Sequence, residues 1–103
     1  MSYNGFENYE TWSVHLWLTN ERQMYDLICS FVGHAKHLTE VEDDKQSILS
    51  RDEQIKNHLA AMIRTVVESG NPLNEDGSLY RDLLVAALSD VNWFEIARAF
   101  IEE

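Results

Sequence analysis

A chain of 103 residues, 45% hydrophobic and 25% charged, with one proline and four glycines, is long enough to close one core and carries no low-complexity or linker stretch. Eighteen acids against eight bases give a net charge of −10, and a field of that sign repels phosphates and argues against direct DNA or RNA binding. The single cysteine, Cys29, cannot close an intrachain disulfide, and no stretch reads as a signal peptide or a membrane span; the expectation is a cytoplasmic protein with Cys29 as a reduced core thiol.

In chain order, Asn8 is the first helix cap. At about 100° per residue, Tyr9, Trp12 and Leu16 fall on one stripe and Val14, Trp17 and Leu18 on another, which leaves a narrow polar strip through Thr11, His15 and Thr19. Two apolar stripes predict a central helix covered on at least two sides. Glu10 lies between Val14 and Trp17, but in the first turn a carboxylate meets free backbone N–H groups and the positive end of the helix dipole. Asn20 and Gln23 make a capping pair for a second helix to about His37, in which Met24, Leu27, Ile28, Phe31, Val32 and Ala35 recur at helical spacing. The interval 38–49 is the least regular and holds Glu40, Glu42, Asp43 and Asp44, so it reads as an exposed acidic connection with room for a helical extension at either end.

Ser50 and Glu53 form a capping box ahead of Ile55, Leu59, Met62, Ile63, Val66 and Val67, and Gly70 and Pro72 stop that helix. Asp76, Gly77 and Ser78 make a turn and cap before Leu79, Leu83, Leu84, Ala87 and Leu88; Asp90 or Asn92 caps a last run of Trp93, Ile96, Ala97, Phe100 and Ile101. The prediction is a single all-α domain over 1–103 with about five helices. Its expected core is Trp12, Leu16, Trp17, Leu27, Ile28, Phe31, Leu59, Ile63, Leu84, Trp93, Ile96 and Phe100.

The motifs that carry chemistry are thin. There is no glycine-rich phosphate loop, serine elbow or paired-cysteine motif, so the reading leans away from an enzyme and assigns no cofactor. His34 and His37, with Glu40 or Asp43 following, come nearest to a metal site, yet a site needs at least three converging ligands, and imidazoles near a helix end also suit the dipole. No metal is assigned. His15 and His58 have no nucleophile near in sequence. Aromatic rings stack bases only beside a positive groove, which this chain lacks, so core packing is their first use. A ring left exposed would instead anchor a protein partner, and Tyr3, Phe6 and Tyr80 lie outside the clear stripes.

Asn8-Tyr9-Glu10-Thr11-Trp12 with Val14, Leu16 and Trp17, together with Asp90-Val91-Asn92-Trp93 and Glu95-Ile96-Ala97, resembles a family of small proteins of unknown function found in bacteria, archaea and especially their phages and plasmids. Ser13 stands where the resemblance would place an asparagine. The resemblance implies no activity; it implies a home on a mobile element, where small acidic proteins bind and block host proteins such as anti-phage defence factors, the CRISPR machinery among them. Both motifs join an Asn or Asp cap to a tryptophan one turn in, so the two helix starts are expected to pack together, with Asn8, Glu10 and Asp90 satisfying backbone donors. Two readings follow. In the first, a non-enzymatic protein inhibits or redirects a host protein with a basic nucleic-acid-binding groove, meeting it through Glu40, Glu42, Asp43, Asp44, Glu75 and Asp76 without touching membrane. In the second, a small enzyme or metal-binding protein uses Glu10, His15 or the His34 and His37 pair.

Overall fold

The computed structural model describes residues 3–42, 50–71 and 77–102, the side chains of 38–42 excepted. Among the described residues five helices follow in order: α1 (Tyr9–Asn20), α2 (Arg22–Glu42), α3 (Arg51–Ser69), α4 (Leu79–Ser89) and α5 (Trp93–Ile101). The fold is all-α, and among the described residues the one β-type pairing is an isolated bridge between Tyr3 and Phe6. Side-chain oxygens of Asn8, Ser50, Ser78 and Asn92 each accept an N–H from the first turn of α1, α3, α4 and α5. Asn92, not Asp90, therefore caps the last helix; Asp90 is the residue that closes α4. Asn20 does not cap α2 but ends α1, and Glu21 joins the two helices, its N–H bonded to the Trp17 carbonyl and its own carbonyl accepting from Tyr25. α2 runs on to Glu42 rather than stopping near His37, while 43–49 lie outside the described residues.

α3 packs most extensively, against α5 and α2, and α1 lies against α2 and α5. The core draws Leu18 from α1, Ile28 and Ala35 from α2, Ile55, Leu59, Ala60 and Ile63 from α3, then Val91, Ile96, Ala97 and Phe100. Each large aliphatic side chain so buried contributes about 1.5–3 kcal/mol. Of the predicted core, Ile28, Leu59, Ile63, Ile96 and Phe100 are buried, and Phe31 and Trp93 pack against them from the side. Trp12, Leu16 and Leu84 are half-buried and outside that cluster.

Three expectations are overturned. Trp17 is 70% exposed and Leu27 40%, because Leu18 and Ile28, one residue on, take the inward positions of α1 and α2. Cys29 is exposed for the same reason, one step round α2 on the far side of Ile28. The polar strip of α1 is reversed: Thr11 is 0% exposed and His15 half-buried, since this face of α1 turns toward the start and the core of α5. Among the described residues no helix is long and apolar enough to cross a membrane.

Candidate functional site

The two terminal motifs meet as a hydrogen-bonded clasp. Asn8 and Asn92 play matching parts in it. The Oδ1 of Asn8 accepts the Thr11 N–H at 2.9 Å and the Thr11 hydroxyl at 2.6 Å, while its Nδ2 donates to the Asp90 carbonyl at 2.7 Å. The Oδ1 of Asn92 accepts the Glu95 N–H at 3.1 Å, while its Nδ2 donates to Glu7 Oε2 at 3.3 Å. Each asparagine thus caps its own helix and ties across to the other segment, a double duty that needs an acceptor and a donor on one short side chain. Two more bonds cross the junction, from the Asn92 N–H to the Thr11 hydroxyl at 2.9 Å and from the Glu7 N–H to Glu95 Oε1 at 2.7 Å. The Thr11 hydroxyl, donating to Asn8 and accepting from Asn92, is fully used, which is how a polar side chain tolerates complete burial. The two helix starts pack together as expected, but the Asp90 backbone carbonyl accepts where its side chain was expected to cap.

Ahead of the clasp, Tyr3 and Phe6 bond each other's backbones across Asn4 and Gly5, whose φ values of 49° and 89° form a tight turn that only such residues adopt readily. The turn lays Tyr3 over Tyr9 and Trp12, with ring centroids 5.2 and 4.9 Å away, and lays Phe6 on His15 at 4.8 Å. His15 in turn meets Phe100 at 5.5 Å, so it is a packed ring in an aromatic layer. Glu10 is half-buried in the first turn of α1, as the dipole favours. The residues of the two motifs therefore build a joint.

The open surface lies elsewhere. Between α2 and α3 a hollow of about 410 Å³ is lined by Phe31, His34, His58, Ala61, Met62, Thr65 and Val66. His34 thus shares a groove with His58 of the neighbouring helix rather than forming a site with His37. Among the described residues, no three His, Cys, Asp or Glu side chains converge as metal ligands would. Val66 also borders a second hollow of about 330 Å³, walled by Trp17 and Glu21 of the α1 end together with Ser13, Val14, Leu18, Met24, Val67 and Gly70. His58, Ala61, Met62, Thr65 and Val66, at one-face helical spacing, make the floor that leads from one hollow to the other. Beyond the C-terminal end of that floor, Glu68 and Asn71 border a further hollow with Val85 and Leu88 of α4.

α4 is the least covered helix. It has no buried residue; Leu88 packs against the core, while Leu79, Tyr80, Leu83 and Val85 are exposed, Tyr80 at 72%. Sequence periodicity places Leu79 and Leu83 on the apolar run of this helix, yet both are exposed, while Tyr80 lies off that run as read from the sequence. Of the acids expected to meet a partner, Glu40 and Glu42 belong to the last turn of α2 with side chains outside the description, and Asp43, Asp44, Glu75 and Asp76 lie outside the described residues.

Among the described residues the all-α domain is clasped at its two motif ends and carries open hollows along α3, with exposed apolar side chains on α4. The chain belongs to a family of unknown function, DUF7249, which it matches over residues 1–93. No curated protein and no solved structure matches it.

Proposed function

We propose that this chain is a non-enzymatic binding protein, carried by a phage, plasmid or other mobile element, that acts in the cytoplasm by docking on a host protein and blocking or redirecting it. The observation that carries the reading is α4, which leaves Leu79, Tyr80, Leu83 and Val85 in solvent. Leu79, Leu83 and Tyr80 fall on one side of α4; exposed apolar side chains grouped in this way mark contact sites, and aromatic anchors among them supply much of the binding energy. The net charge of −10 selects a partner with a basic surface and speeds the encounter at low salt. A nucleic-acid-handling or defence factor fits that description, because its working groove is basic.

The test is capture from host lysate by the wild type and by a variant with Tyr80→Ser and Leu83→Glu. Both side chains are exposed, so the variant should melt within about 0.5 kcal/mol of the wild type. A partner identified by mass spectrometry with the wild type should be lost from the variant, and its capture should weaken as salt rises. A partner held equally by both proteins would contradict the role of α4.

A further inference from the structure

Resting on that reading, we infer that the hollow walled by Trp17 receives a basic side chain of the partner protein, an arginine or lysine laid against the indole. Trp17 is 70% exposed beside the apolar Val14, Leu18, Met24, Val66 and Val67, which line the hollow together with Ser13, Glu21 and Gly70. The face of an indole bears the negative end of its quadrupole, and no side chain lining the hollow is a Lys or Arg.

The rim carries the Glu21 carboxylate and the C-terminus of α3 beside the start of α2. The hollow sits where α1 and α3 both end, Glu21 being the residue that closes α1 and Gly70 the one that closes α3. The C-terminus of α3 brings the negative end of its dipole there with no base in its last turn to offset it, whereas at Glu21 the end of α1 is met by the start of α2 at Arg22, so those two dipole ends offset each other. The Glu21 carboxylate adds a full negative charge at the same rim. A cation gains from the indole, the carboxylate and the α3 dipole together, whereas a neutral side chain gains only apolar contact or an uncharged hydrogen bond and a carboxylate is repelled by Glu21. The methylene stem of arginine or lysine suits the apolar walls below a charged head in this way. A second copy of the chain is the weaker occupant, since two molecules each at −10 repel. Gly70 of this hollow is followed in the chain by Asn71, which lines a hollow with Val85 and Leu88 of α4.

The probe is a pair of short peptides, acetyl-Ala-Arg-Ala-amide and its citrulline counterpart, which keeps the shape of arginine and removes the charge. Titrated into nitrogen-15-labelled protein, the arginine peptide should move the Trp17 indole and the Glu21 amide saturably, with the indole signal assigned by its loss in Trp17→Leu. The citrulline peptide should bind about tenfold more weakly, the discrimination a desolvated cation–π contact supplies, and Glu21→Gln should lower the arginine affinity in the same direction. Trp17→Leu, at an exposed position, should keep the circular dichroism spectrum and lose the response. Equal affinity for both peptides, shifts centred away from Trp17, no shift at millimolar peptide, or a dimer that buries Trp17 in sedimentation would each overturn the inference. Those failures leave capture through α4 untouched, while loss of α4-dependent capture with an intact peptide response would sink the wider reading alone.

Discussion

Replacing Asn8 by aspartate should lower the unfolding free energy by about 1–3 kcal/mol, even though aspartate caps helices as well as asparagine does. The cap itself survives, because the Thr11 N–H and hydroxyl still find an oxygen. What changes is the other half of the side chain. Nδ2 of Asn8 donates to the Asp90 carbonyl at 2.7 Å, and the substitution sets a carboxylate oxygen against that carbonyl instead. A residue that were only a cap would gain slightly from aspartate through the helix dipole, so the sign of the change separates the two roles. Urea melts of the two proteins decide it; unchanged or increased stability would mean that the amide does not hold the ends together.

A larger loss, about 2–5 kcal/mol, is expected for Leu59→Ala, whereas Trp17→Ala should cost no more than about 0.5 kcal/mol. Leu59 is fully buried on α3, the helix that α2 and α5 both pack against, and a truncation there leaves a cavity that its neighbours cannot fill without moving. Trp17 is the bigger side chain, but most of its surface is already in water. Side-chain size alone ranks these substitutions the other way. Denaturant melts that gave Trp17→Ala a loss matching Leu59→Ala would show that the ring is packed and remove the hollow's open wall.

The sequence carried the helices well and their facing less well. Ser50, Ser78, Asn8 and the periodic runs of α2, α3 and α5 were legible because caps and apolar spacing are local properties of the chain. α1 was harder: its apolar residues lie nearly all round the helix, so periodicity gave no direction, and which of Leu18 and Trp17 turned inward was decided by where α2 and α5 dock. The burial of Thr11 was hidden for a related reason, since its two partners, Asn8 and Asn92, are joined only by tertiary structure. The Asn4-Gly5 turn had a legible local signal that went unread, and it is what seats Tyr3 on the motif. The exposed stripe of α4 was invisible in principle. An amphipathic pattern says that a helix has an apolar face, not whether its own chain covers it.

That α4 and the adjoining end of α3 meet a partner is tested most directly by hydrogen–deuterium exchange on the complex, once capture has supplied a partner. The account predicts added protection over Leu79–Ser89, the last turn of α3 and the end of α1 around Trp17 and Glu21, with the Asn8 and Asn92 clasp unchanged. Protection centred on Tyr3, Tyr9 and Trp12, with α4 exchanging as fast as in the free protein, would contradict it.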